Sequence, residues 1–189
     1  MFDPARYGSV FQPLLAEERL NPLGPGTPNE SVYPLLKALS VDEAFLPHEV
    51  KDASMAKCCL AGIWLYHDFL DESHRISQSV STSTGSYWHG IMHRREPDSW
   101  NSKYWFNRVG QHPVFPDLCE AAKSLAEQAS LLPETRFLVE QRQWDPHRFV
   151  DLCEASRTGK SQAERLCRTI QLKEWQLLFD YCYRRAIGS

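Results

Sequence analysis

The stretch from Ser54 to about Ile76 constrains the fold most, because Met55, Cys59, Ile63, Tyr66 and Leu70 recur there at intervals of three and four. That is the period of an α-helix with one face against a core. A strand, whose side chains alternate every two residues, cannot bring these five together. The pattern predicts a central helix over this range with Ser54 as its N-cap. Short helices fit 31–39 and 42–46, with Pro34 in a first turn. A helix from about Ser86 to Arg95 ends where Pro97 disfavours helical geometry at Glu96, and Asp98 can cap the next one over Trp100 to Val109.

Downstream, Pro116 and Asp117 open an amphipathic stretch through Leu118, Ala122, Leu125 and Ala129, which Pro133 closes. Asp145 and Pro146 supply a cap and a first-turn proline for Phe149, Leu152 and Cys153, with Gly159 as the stop. Ser161 to Glu164, SQAE, fits a capping box ahead of Leu166, Ile170, Trp175, Leu178 and Tyr181. RFLVEQ at 136–141 reads equally as strand or helix. The expected fold is all-α, a single-domain helical bundle of irregular connectivity over residues 1–189. Its N-terminal arm, 1–30, is expected to be irregular, because NPLGPGTPN at 21–29 crowds prolines and glycines together.

A chain of 189 residues suits one core rather than two. With 21 basic and 24 acidic side chains the net charge is −3, so no global field favours nucleic acid or an acidic membrane. The longest uncharged apolar run, CCLAGIWLY at 58–66, is far shorter than a membrane span. Cys58, Cys59, Cys119, Cys153, Cys167 and Cys182 show no CxxC spacing and fall among apolar residues, as reduced core thiols do. These features together predict a soluble, cytosolic protein.

The residues that could carry chemistry gather in the middle of the chain. On one continuous helix His67, Asp71 and His74 stand at i, i+4 and i+7 and share a face. His89, His93 and Glu96 repeat that spacing on the next helix. Two short-linked antiparallel helices could point these groups at one another, and imidazole with carboxylate suits zinc, iron or manganese. The same arrangement also occurs as a metal-free polar pocket or as hydrogen-bonded interior groups. Tyr87, Trp88, Trp100, Tyr104, Trp105 and Phe106 lie among Arg94, Arg95, Lys103 and Arg108. Such a set either packs as core or stacks a planar ligand and holds its phosphate or carboxylate. GKS at 159–161 is not a P-loop, since Glu154 stands where the loop's first glycine belongs. No GxSxG elbow surrounds Ser86.

LYHDFLDESH, residues 65–74, resembles the core of HD-domain phosphohydrolases. That resemblance implies His67 and Asp68 as metal ligands, His48 as an upstream histidine, and Asp117 or Asp145 as a distant aspartate. It departs from the pattern where Phe69, Leu70 and Asp71 replace the small glycine-containing turn. A longer block from about 60 to 115, through HDFLDESHRISQ, TGSYWHGIMHRREPD, NSKYWFNRVG and HPVF, resembles a family of soluble, mostly bacterial proteins with no established activity. The resemblance marks 64–115 as the working part of the chain and implies no reaction.

Two functions are expected from these readings. In the first, a small helical enzyme lines a pocket with His67, Asp71, His74, His89 and His93, with or without a divalent metal. Trp88, Arg94, Arg95, Tyr104 and Trp105 then hold a small anionic substrate, and hydrolysis is preferred to oxidation. In the second, a non-catalytic module docks a ligand or protein through the aromatic and arginine surface of residues 87–108.

Overall fold

The helical period at 54–76 is realised as two helices, α4 over Ala53–Tyr66 and α5 over Leu70–Gln78. The computed structural model describes residues 2–129 and 132–189. Between α4 and α5 the chain closes a Schellman end. Phe69 N donates to Trp64 O at 3.1 Å and Asp68 N to Leu65 O at 3.1 Å, with Asp68 in the left-handed region at φ 67°. Glycine usually takes that position, but aspartate is among the few other residues that tolerate it. The apolar contact typical of such an end joins Trp64 to Phe69, with ring centroids 5.3 Å apart.

Charge pins Asp68 in place. Its carboxylate, 4% exposed, accepts from Arg19 Nη2 at 3.2 Å and Asn21 Nδ2 at 2.9 Å, and forms a buried ion pair with Arg95. The cap of α4 is Asp52, which accepts from the Ser54 and Met55 amides, so Ser54 lies inside the helix instead of capping it.

The arm is more ordered than its composition predicts. A 3₁₀ turn at Pro4–Tyr7 leads into α1, Gly8–Leu14, and both Tyr7 and Phe11 are buried against Phe179. Only the following segment lacks helix, and Arg19 and Asn21 fasten it to the Tyr66 carbonyl. Two short helices, α2 (Tyr33–Ala38) and α3 (Val41–Ala44), precede α4, with Pro34 in the first turn of α2 as expected.

α6 covers Ser83–Arg95, capped by the Thr82 hydroxyl rather than near Ser86. α7 covers Ser99–Val109, capped by Asp98, which accepts from Asn101 N. The turn between them makes α6 and α7 an antiparallel pair. Their backbones come close because Gly90 has no side chain: a Cβ there would lie 3.1 Å from the Phe106 ring, and Ser102 Oγ donates to Gly90 O at 2.8 Å.

α8 (Phe115–Gln128), α9 (Phe137–Glu140) and α10 (Pro146–Arg157) follow, so the ambiguous RFLVEQ segment is helical. The 24-residue α11, Glu164–Ile187, packs against α4, α8 and α10. Ser161 does not make the expected capping box. Its hydroxyl donates to Glu134 and accepts from Ala163 N, and α11 starts without a side-chain cap.

The protein is thus an all-α, single-domain bundle, with no strand among the described residues. All six cysteines are free and buried, and Trp88 Nε1 donates to Cys182 Sγ at 3.4 Å. No described helix is long and apolar enough to cross a membrane.

The Asp68 network generates a direct expectation. Asp68→Ala leaves the buried Arg95 guanidinium without its carboxylate, so urea denaturation is expected to show a loss of about 3–5 kcal/mol, with the double variant Asp68→Ala/Arg95→Leu recovering part of it. A single-variant loss below about 1 kcal/mol, the range of exposed pairs, would contradict the assigned role.

Candidate metal centre

Breaking the helix at 67–69 sorts the predicted site residues into two groups. His74, in the middle of α5, faces α6, where His89 and His93 project from successive turns. The ring centroids lie 4.6 Å (His74 to His89), 5.2 Å (His74 to His93) and 4.8 Å (His89 to His93) apart. One ligand nitrogen from each of the three comes within 4.8 Å of the other two. Zinc–imidazole bonds of about 2.0–2.1 Å would need those nitrogens closer together than that limit.

His67 and Asp71 do not join this cluster, because the Schellman end rotates α5 relative to α4. His67 caps α4, with Nε2 2.9 Å from Leu14 O and Nδ1 facing the Asn29 amide. Asp71 is exposed and lines a groove of about 600 Å³ with Pro25, Pro28, Tyr33, Phe69 and Glu96. Asp68 is satisfied by its arginines and asparagine, and His48 is exposed.

Two expected anion holders are likewise committed elsewhere. Arg94 pairs with Glu174 at 2.5 Å, with side chains 2% and 0% exposed, and Tyr87 Oη donates to the other oxygen of Glu174. Arg95 is bound to Asp68 and donates from Nε to Gly24 O. Both side chains are buried, Arg94 4% and Arg95 2% exposed, so neither presents its guanidinium at the surface to a substrate. Trp88, fully buried against Gly62 and Cys182, is core and not a substrate contact.

The surroundings of the three imidazoles are specific. Trp105 lies flat on His89, with centroids 3.9 Å apart and planes 19° apart. His93 Nδ1 is 2.9 Å from Glu96 Oε2, and Asn101 Nδ2 is 3.1 Å from His93 Nε2. Together these assign the tautomer: Nδ1–H donates to the carboxylate, and Nε2 keeps a lone pair that accepts from the amide. A carboxylate behind a histidine is the usual outer support of a metal-ligating imidazole. His89 Nδ1 is buried and has no protein partner, a state that costs about 1–3 kcal/mol unless a ligand satisfies it.

Sequence reasoning missed Asn101, although the signal is present. The tight turn around Pro97 makes α7 retrace α6, so residues equidistant from 97 face each other: 93 with 101, and 89 with 105.

Burial, reinforced by the neighbouring imidazoles, pushes His89 down to about 3. Burial also lowers His93, against the opposing pull of Glu96. Both are therefore neutral at pH 7, the form in which imidazole ligates metals. His67 and His112 are each pushed down to about 4 by burial. In the metal-free protein, NMR should show the His67, His89 and His112 rings neutral from pH 8 down to 5. A His89 ring that titrates near 6.5 would contradict the enclosure described.

No family model matches the chain, and neither a curated protein nor a solved structure matches it.

Proposed function

We propose that the protein is a small metal-dependent enzyme whose centre is His74, His89 and His93, with hydrolysis as its reaction. One observation carries the reading: three imidazoles from two helices converge, and one of them, buried, has a nitrogen that nothing in the protein satisfies. Three imidazole donors suit zinc, iron or manganese. Among the described residues no carboxylate or thiol joins them, so a tetrahedral ion would keep one position for water or substrate, the arrangement of catalytic rather than structural zinc. A cation held there supplies acidification of a bound water to a pKa near 7 and polarisation of a substrate oxygen.

The protein's own residues set up the rest. Glu96 orients His93 and fixes its tautomer, while Trp105 holds the His89 ring flat and excludes water from that face. Asn101, whose amide reaches His93 Nε2, is placed to donate to a substrate oxygen once that lone pair is engaged. The substrate is a small anion, and a cytosolic setting fits the six free thiols.

Elemental analysis of tag-free protein prepared without chelator is expected to find stoichiometric zinc, iron or manganese in the wild type and none in His89→Ala. Glu96→Gln should retain the metal with affinity lowered roughly 10- to 100-fold, as for other outer-shell carboxylates. Equal metal content in wild type and His89→Ala would remove the reading.

A further inference from the structure

The expected anion holders, Arg94 and Arg95, are internal, and the groove beside Glu96 is lined by carboxylates, so an anionic substrate needs another seat. Resting on the metal-centre reading, we propose that the exposed face of α7 carrying Trp100, Tyr104 and Arg108 binds the flat, anionic part of that substrate, an aryl phosphate or nucleotide-like group.

The three residues stand at i, i+4 and i+8 and so form one stripe along the helix. Trp100 is 78% and Tyr104 45% exposed, and their rings lie nearly parallel, 12° apart with centroids 6.1 Å apart. A single exposed aromatic is ordinary, but two aligned ones facing water form a platform on which a planar ring can stack. Arg108 is also exposed, its guanidinium 6.0 Å from the Tyr104 ring and 5.4 Å from the Trp105 ring. Among the described residues no carboxylate pairs with Arg108, whereas the other cation of α7, Lys103, is paired with Asp151. A guanidinium resting on aromatic faces with its donors free suits bidentate capture of phosphate or carboxylate.

The stripe is continuous with the centre. Tyr104 meets the edge of Trp105 at 5.5 Å, and Trp105 lies on His89 at 3.9 Å. Charge complementarity selects the occupant. A free cation beside stacked rings recognises an aromatic anion, while Asp71 and Glu96 repel one from the groove.

Adenosine 5′-monophosphate is a suitable probe, titrated against zinc-loaded and metal-free protein by tryptophan fluorescence and calorimetry. Saturable binding is expected, stronger than for adenosine or inorganic phosphate. Trp100→Leu and Arg108→Gln should each weaken it roughly tenfold, with zinc content and circular dichroism unchanged. Binding that neither substitution affects, or no binding by zinc-loaded protein, overturns the platform and leaves the centre standing. Nucleotide binding by protein that takes up no metal overturns the centre and keeps the platform as a ligand site. A decamer of deoxyadenylate binding far more tightly than the mononucleotide would replace the small ligand by a nucleic-acid strand. Dimerisation abolished by Trp100→Leu, with no effect of nucleotide, would replace it by a second copy of the chain.

Discussion

Asp68 is the residue on which the rest of the arrangement depends. It sits in the left-handed region at the end of α4, buried, and is held by Arg95 from α6 and by Arg19 and Asn21 from the N-terminal segment. An isolated carboxylate at that depth would be prohibitively costly, and so would the buried Arg95 guanidinium without it. The network therefore does more than neutralise charge. It ends one helix, starts another at a new angle, and ties α6 to the junction, which brings His74 over His89 and His93. An uninterrupted helix would have placed His67 with His74 instead.

The interior treats its two kinds of nitrogen base differently. Both arginines of the RR pair are charged and matched to buried carboxylates, Arg94 with Glu174 and Arg95 with Asp68. Burial holds His67, His89, His93 and His112 neutral. At His112, Nδ1 accepts from Val114 N and Nε2 is 3.1 Å from Thr84 Oγ1, which leaves no room for a second ring proton. Because the folded-state values of His67, His89 and His112 are depressed, the folded chain binds fewer protons than the unfolded one below pH 6.5. Stability from these groups is complete above that pH and declines as pH falls towards about 4 for His67 and His112 and about 3 for His89. Held neutral, His89 and His93 face little proton competition for a cation at pH 7, so the burial that weakens the fold in acid prepares these two ligands at neutrality.

Much of the helix order was legible because apolar period, proline position and Asp98 or Asp145 caps agree locally with the final fold. The break at Asp68 was not, because a Schellman end without glycine leaves the three-and-four pattern uninterrupted, and what fixes it, Arg19 and Arg95, lies far away in sequence. The capping signal at Ser161 misled for a related reason: its hydroxyl has a better partner in Glu134, from a distant turn. At the centre, His89 and His93 were legible from their spacing on one helix. The roles given to His67, Asp71, Arg94 and Arg95 were not recoverable, since burial and ion pairing are tertiary facts. Trp100 and Trp88 look alike in sequence, yet one is fully buried and the other stands in solvent.

The most direct measurement is anomalous diffraction at the zinc edge from crystals grown with zinc. One strong peak is expected between α5 and α6, bonded at about 2.0–2.1 Å to nitrogens of His74, His89 and His93, with Glu96 still on His93 Nδ1. A peak ligated by other residues, or an ordered cluster of three imidazoles with no peak in saturating zinc, would contradict it.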